Sequence, residues 1–306
     1  MAQQYRGPAP IPIGPIGVTN RGACTLLIVI LAGVSLSVPG CIQVVDEEEA
    51  LLFLAAASTI DALDEAFAVF GVTPSHKRHR ASYGPTSVLA KQIISGAPAH
   101  LFLSANAAWA DLVSETVKPL ARVTIASNRL VIVVPSQSPL QPLSGKEPVI
   151  LADPTCHRIA IADTLSVPVG VYARQALGNY GLWRLVRDKV VAALDARAAL
   201  QLAAEAEVEA AIVYTSDAIR EPLVRVVGEF DPSFHEPIRY ELLLLDDSHY
   251  DAQRLFDFLA SPAALSTFVS RGFANPPEGS SASPQQEFSI GQRSRLAATS
   301  TALAVH

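Results

Sequence analysis

Four segments of this chain place hydroxyl-bearing or small residues where an apolar, strand-like run gives way to a helix-like pattern. Such turns expose the unpaired backbone N–H groups of a helix N-terminus, and in open α/β sheets ligands bind beside them, at the carboxyl ends of the strands. Oriented N–H and O–H dipoles hold an anion without a formal positive charge. The pattern therefore predicts a small-anion site, with the candidate donors Ser58, Thr86, Ser87, Val169 and Tyr214.

The first two turns also have an ordinary explanation. Ser58 follows the run Leu51–Ala56 and lies three residues before Asp61, which fits a serine N-cap with a capping-box acid. Thr86 and Ser87 open the next helix-like segment. Each turn alone is weak evidence, but two turns of the same design suggest a pair of helix ends that face one ligand.

The third and fourth turns offer a backbone donor and a phenol. Pro168 suits the first turn of a helix because it has no N–H to leave unpaired, so Val169 and Gly170 would present free N–H groups. Tyr214 ends an apolar run, and its phenol is a good single donor to an anion. The alternatives here are a plain strand–helix loop and a tyrosine that bonds a neighbouring loop.

Short apolar runs alternate with amphipathic segments from residue 50 to about residue 276. This alternation predicts the α/β class, with mainly parallel sheets covered by helices on both faces, and the span suits two lobes. The predicted strands are Leu51–Ala56, a strand ending at Ser82–Tyr83, Leu101–Ser104, Leu130–Val134, Arg158–Ala162, Ala210–Val213 and Glu241–Leu245, and the predicted helices are Asp61–Phe70, Val88–Ile94, Trp109–Val113, Gly170–Leu177, Ala196–Ala204, Ala252–Leu259 and Ala263–Val269.

Composition and motifs exclude several classes of protein. A net charge of −6 argues against nucleic-acid binding, which needs a basic face, and His76–Arg80 is interpreted as a solvated edge. The three cysteines form no C-x-x-C pair, so we expect neither a disulfide framework nor a cysteine-rich zinc site. Asp247-Ser248-His249 are adjacent on one loop and cannot form a catalytic triad. With no nucleophile elbow or phosphate-binding loop, we expect neither enzymatic activity nor a cofactor.

The N-terminal region has the pattern of an export signal. Arg21 precedes the apolar run Ala23–Val38, which is followed by Pro39-Gly40-Cys41. The run is at the lower edge of the roughly 17–25 residues that span a bilayer, which favours a cleaved signal over a retained helix. The ending resembles a lipobox, which makes Cys41 a lipidation candidate, with simple cleavage nearby as the alternative. The chain is thus expected in the periplasm or on the outer face of the cytoplasmic membrane.

The predicted domains follow from these patterns. Residues 1–45 are the leader, and the acidic run 46–49 is a solvated spacer. Residues 277–306 are rich in Pro, Ser and Gln without periodicity, which predicts a disordered tail.

An ordered set of segments resembles the periplasmic molybdate-binding proteins of ABC transporters. The set covers about residues 50–275 in the order and spacing of that family. It consists of Phe53–Ser58, Ser87–Ile93, Gly96–Ala99, Leu103–Ala105 with Trp109, Asn128–Val131, Val167-Pro168 with Gly170–Ala173, and Ile212–Tyr214 with Ser216–Ala218.

The resemblance implies a monomer of two α/β lobes, 46–128 with 241–276 and 129–240, joined by crossing strands. It implies a receptor that captures molybdate or tungstate in the cleft and delivers it to the membrane subunits of an ABC permease. The alternatives are a receptor for another tetrahedral oxyanion and a sensor with the same fold. The implied hydrogen-bond donors to the anion are the hydroxyl and N–H of Ser58, the hydroxyl of Thr86 or Ser87, the N–H groups of Val169 and Ala196, and the O–H of Tyr214.

Two positions depart from the family pattern. The family has an acid after Gly-Ala-Pro-Ala, where this chain has His100, and another after Ser-Ala, where it has Asn106. Both lie away from the implied donors, so they bear on lobe packing or partner contacts more than on the ligand.

Overall fold

The computed structural model describes residues 50–71, 79–141 and 148–277. The predicted leader, the spacer, Cys41, most of the basic run (residues 76–78) and nearly all of the predicted tail lie outside these ranges. Within the described ranges, no helix combines the length and the apolar character needed to cross a bilayer.

Strands and helices alternate along the described chain. In order they are β1 Leu51–Ala56, a 3₁₀ turn Ala57–Thr59, α1 Ile60–Phe70, β2 His79–Gly84, α2 Thr86–Ile94, β3 Leu101–Ser104, α3 Ala107–Val117, β4 Ala121–Ser127, β5 Leu130–Pro135, a 3₁₀ turn Pro148–Ala152, β6 Ile159–Ala162, α4 Pro168–Asn179, α5 Trp183–Val186, a 3₁₀ turn Arg187–Lys189, β7 Val190–Ala193, α6 Ala196–Ala204, β8 Ala210–Tyr214, α7 Thr215–Ala218, β9 Val224–Glu229, a 3₁₀ turn Pro232–Phe234, β10 Arg239–Leu244, α8 Ala252–Leu259 and α9 Pro262–Ser270.

The strands form two sheets of the same design. One sheet has the order β2-β1-β3-β10-β4 and the other the order β7-β6-β8-β5-β9. In each, four strands run one way and one strand, β10 or β5, runs against its neighbours. We call the first sheet with α1–α3, α8 and α9 lobe 1, and the second with α4–α7 lobe 2. The predicted α/β class with two mainly parallel sheets is confirmed.

The two reversed strands are the places where the chain changes lobes. The chain leaves β4 and enters β5 through only two residues, Asn128 and Arg129. It returns through residues 230–238 into β10. Close to the first crossing, Ser127 and Ala274 exchange two backbone hydrogen bonds of 2.8 and 2.9 Å. The lobes are therefore joined by short, hydrogen-bonded segments.

The sequence pattern located interior strands better than edge strands. β1 and β3 occupy the predicted residues, whereas β4, β7 and β9, which all lie at sheet edges, were not predicted. An interior strand is covered on both faces and gives a continuous apolar run. Edge strands are short or mix polar with apolar residues, as in Val190–Ala193 and Val224–Glu229, so they leave a weaker signal.

Gly170 allows α4 to approach the end of β6 closely. A Cβ at this position would press against the backbone carbonyl oxygens of Ala162 and Asp163, the second at 2.5 Å. Glycine is therefore required here by space, in the first turn of the helix. This close approach holds the N-terminus of α4 at the carboxyl end of the sheet.

We predict that Gly170→Ala lowers the free energy of unfolding by about 1–3 kcal/mol, because the added methyl group forces the helix away from β6. Gly178→Ala, in the same helix, is the control, since a Cβ there meets no atom within 4 Å. The free energy of unfolding of the control should rise by about 0.5–1 kcal/mol, because alanine has a better helix propensity than glycine. Guanidinium denaturation measures both, and equal midpoints for the two variants would contradict the packing argument.

Candidate functional site

A cavity lies where strand-to-helix turns of the two lobes meet. It encloses about 250 Å³, including its open mouth. Five of the six predicted site residues line it, and Ser87 does not. The lining consists of Ala56, Ala57, Ser58, Gly84, Pro85, Thr86, Ala105, Val167, Pro168, Val169, Asp195, Ala196 and Tyr214.

Four of the lining residues lie in the first turn of a helix, namely Thr86, Pro168, Val169 and Ala196. α2 begins at Thr86, α4 has Val169 as its second residue, and α6 begins at Ala196. First-turn N–H groups have no acceptor within their own helix and carry the positive end of the helix dipole. Three helices, one from lobe 1 and two from lobe 2, thus direct backbone donors towards the same cavity.

Tyr214 brings to the cavity a buried donor for which the described residues offer no acceptor. The side chain ends β8 and is only 2 % exposed, and its Oη makes no hydrogen bond within the described residues. Burial raises the pKa of the phenol well above its ordinary value, so the hydroxyl keeps its proton. An unpaired buried polar group costs about 1–3 kcal/mol and is rare in native proteins, so its presence at a cavity calls for a ligand as partner.

The two lobe 1 hydroxyls have protons to give to a ligand. Thr86 Oγ1 accepts a hydrogen bond of 3.1 Å from the Ala105 N–H, and this leaves its own proton free. Ser58 Oγ lies 2.9 Å from Tyr240 Oη, and that Oη also accepts from Asn128 Nδ2 at 3.3 Å. When Tyr240 donates to Ser58, the serine proton is available to the cavity.

Ser58 is not an N-cap. The N-cap of α1 is Thr59, without a capping hydrogen bond from its side chain, and Thr59 Oγ1 donates to the Ala56 carbonyl instead. The ordinary explanation of Ser58 and Asp61 as a capping box is therefore wrong. Ser58 sits in the preceding 3₁₀ turn, at the cavity.

None of the described residues that line the cavity is basic. The single charged one among them, Asp195, directs its carboxylate to the first turn of α6, where it accepts from the Ala198 N–H at 2.9 Å. Arg197, the next residue after Ala196, contacts Asp61 and Asp217 and does not line the cavity. The donors are therefore neutral, and the arrangement can hold a small anion whose outer atoms are all acceptors.

Several residues behind the donors were not predicted from the sequence. Tyr240, Asn128 and Ser216 form a hydrogen-bonded chain from Ser58 into lobe 2, in which Asn128 Nδ2 lies 2.8 Å from Ser216 Oγ. Ser58 and Tyr240 are 182 positions apart, so no local pattern points to their contact. Asn128 and Ser216 lie in segments that carry the family resemblance, but those segments give no sign of these contacts.

The two departures from the family pattern have structural roles. Asn106 caps α3 by accepting from the Trp109 N–H, and its Nδ2 donates to Tyr172 Oη of lobe 2 at 2.8 Å. An unprotonated acid could not make that donation. His100 Nδ1 accepts from the Leu52 N–H at 2.9 Å, near the start of β1, and neither residue lines the cavity.

Known proteins are similar to this chain in sequence and in fold. A family model for bacterial extracellular solute-binding proteins matches residues 51–274. The molybdate-binding protein ModA of Escherichia coli (strain K12) is 30% identical over 254 residues, which cover 80% of this chain and 96% of ModA. ModA of Haemophilus influenzae is 31% identical over 224 residues, covering 72% of this chain and 88% of that protein.

A solved structure matches the architecture. The periplasmic molybdate-binding protein of Azotobacter vinelandii aligns with a TM-score of 0.64 at 21% identity, over 74% of this chain and 99% of that one. The fold is thus that of two-lobed solute-binding proteins. The chain belongs to the bacterial extracellular solute-binding protein family, which confirms the resemblance found in the sequence.

We predict that Tyr214→Phe leaves the ligand-free protein as stable as the parent or stabilises it by up to about 1–3 kcal/mol, since it removes an unpaired buried hydroxyl. Tyr240→Phe, at an equally buried tyrosine whose Oη is hydrogen-bonded, should cost about 1 kcal/mol. Urea denaturation without added anions measures both changes. A clear loss of stability in Tyr214→Phe would mean that the phenol already has a partner.

Proposed function

We propose that this protein captures molybdate, or its congener tungstate, outside the cytoplasmic membrane and delivers it to the membrane subunits of an ABC permease. The observation that carries the proposal is the Tyr214 hydroxyl, which is buried without a partner in the described part of the chain, in a cavity lined by helix N-termini and two further hydroxyls. The ModA relatives support molybdate as the anion.

The donors of the cavity suit a fully deprotonated tetrahedral oxyanion. All of its oxygens accept hydrogen bonds, and each of the five proposed contacts, at Ser58, Thr86, Val169, Ala196 and Tyr214, can donate one. A protonated phosphate would bring a donor of its own into a site of donors, and would leave a buried donor facing another donor. Sulfate carries no such proton, so selection between sulfate and molybdate depends on the size of the closed cavity.

The ligand would bridge the lobes. Ser58 and Thr86 belong to lobe 1, whereas Val169, Ala196 and Tyr214 belong to lobe 2. An anion held by both groups favours closure, a hinge motion about the two chain crossings. We place the hinge at Asn128-Arg129 and Arg239-Tyr240, between lobes of residues 46–128 with 241–276 and 129–240. The proposal includes export by the N-terminal signal, followed either by lipidation of Cys41 or by simple cleavage nearby.

We predict that molybdate and tungstate strongly raise the midpoint temperature of thermal unfolding, and that sulfate and phosphate raise it little. A ligand at about a thousand times its dissociation constant adds roughly 4 kcal/mol of stability. Differential scanning calorimetry with each anion in turn measures the shift. A higher midpoint temperature with sulfate alone would indicate a receptor for a different oxyanion. An unchanged midpoint with all four anions would contradict the transport proposal.

We predict that Tyr214→Phe weakens molybdate binding about 10- to 100-fold, as expected for the loss of a hydrogen bond to a charged group. Thr86→Ala should also weaken binding. Ser87→Ala is the matched control, because this neighbouring hydroxyl does not line the cavity. Isothermal titration calorimetry measures all three. Equal dissociation constants for Tyr214→Phe and the parent would contradict the site.

A further inference from the structure

Arg197 lies between segments that carry the proposed donors but does not line the cavity itself. It is the second residue of α6, directly after Ala196. Its Nη2 hydrogen-bonds Asp61 Oδ2 in α1 of lobe 1, and its Nε lies 3.0 Å from Asp217 Oδ1 of lobe 2. One guanidinium therefore contacts a carboxylate from each lobe.

Both carboxylates are tied to the site. Asp61 stands three residues after Ser58, and Asp217 three residues after Tyr214. Asp217 Oδ2 accepts from the Tyr214 N–H at 3.3 Å, so it fixes the strand end that carries the phenol. The contacts of Arg197 thus connect the segments of Ser58, Tyr214 and Ala196.

The two ion pairs differ in their surroundings. The Asp217 side chain is fully buried, and this desolvation raises its pKa to about 7, while Arg197 acts in the opposite direction. Burial alone would lower the pKa of Arg197, but Asp217 and Asp61 raise it, so the guanidinium remains charged. Asp61 is partly exposed, with 41% of its side chain accessible. The pair with Asp217 belongs within lobe 2, whereas the pair with Asp61 crosses the cleft.

We propose that Arg197 is a positioning residue that latches the closed cleft, by pairing with Asp61 across the lobes while Asp217 holds it beside Tyr214. The proposal rests on the proposed function, because the latch prolongs the closed, anion-bound state. Arg197 acts without touching the anion. Opening of the lobes breaks the Asp61 pair and leaves the Asp217 pair intact, so the latch affects release of the anion more than its capture.

The first test is Asp61→Asn, which keeps the size of the side chain and removes its charge. We expect molybdate to dissociate about two- to fivefold faster, in the range of partly exposed ion pairs, with little change in the association rate. The difference should shrink as the ionic strength rises, since salt screens the pair. Stopped-flow measurements of intrinsic tryptophan fluorescence give both rates. Asp61→Glu should restore most of the slow dissociation.

The control is another ion pair on the same helix. Glu65 of α1 pairs with Arg271 at 2.5 Å, but both residues belong to lobe 1. Glu65→Gln removes a comparable charge and leaves the Arg197–Asp61 pair between the lobes in place. We expect the parent's dissociation rate for this variant. Equal dissociation rates for Asp61→Asn and Glu65→Gln would overturn the latch while leaving molybdate binding by the parent untouched.

A ligand-free measurement separates the latch from the proposed function. Spin labels on cysteines introduced at Leu112 of lobe 1 and Leu165 of lobe 2, both exposed, report the distance between the lobes. The background carries Cys24→Ser and Cys41→Ser, and the third cysteine, Cys156, is fully buried and therefore shielded from the label. If the parent binds no molybdate, the proposed function fails, and the latch still predicts longer label distances in Asp61→Asn than in Glu65→Gln. Identical distance distributions would overturn it.

Discussion

Polar hydrogens that must find an acceptor organise this cleft. The phenol of Tyr214 is buried without a partner among the described residues, and the first-turn N–H groups of α2, α4 and α6 have no acceptor within their helices. Parallel strands bring the helix N-termini to one edge of a sheet, and two such sheets facing each other bring together turns that lie far apart in the sequence. Lysine or arginine in the cavity would attract many anions by charge alone. Neutral dipoles in fixed positions select an anion by the number and placement of its acceptors.

The proposed hinge and the proposed site are parts of one hydrogen-bonded network. Tyr240 stands at the start of the returning strand and contacts Ser58, while Asn128, in the first crossing, contacts both Tyr240 and Ser216. A rotation at the crossings therefore changes the surroundings of a proposed ligand donor directly. The reversed strands β5 and β10 both join the lobes and position the residues behind the proposed donors.

Much of the architecture could be predicted from the sequence, because buried strands and amphipathic helices leave strong patterns. β1, β3, α6 and α8 occupy the predicted residues, whereas β4, β7 and β9 were missed at the exposed sheet edges. Turn chemistry alone pointed to the positions of Ser58, Val169 and Tyr214. Ala196 was named only through the family resemblance, since a backbone donor in an alanine gives no side-chain signal.

The choice between Thr86 and Ser87 required the structure. Neighbouring helical residues point about 100° apart, so only one of the two hydroxyls faces the cavity, and an uncertainty of one residue in the helix start exchanges them. The contacts of Ser58 with Tyr240 and of Asp61 with Arg197 join residues more than a hundred positions apart. Such contacts follow from the packing of the two lobes and leave no local pattern.

The central claim is that neutral donors from both lobes hold the anion, and a crystal structure with molybdate tests it most directly. The account predicts oxygens of the anion within about 2.7–3.2 Å of donors on both lobes, including the Tyr214 hydroxyl and the N–H groups of Val169 and Ala196, with no Lys or Arg side chain in contact. An anion bound by Arg197, or one seated outside this cavity, would contradict it.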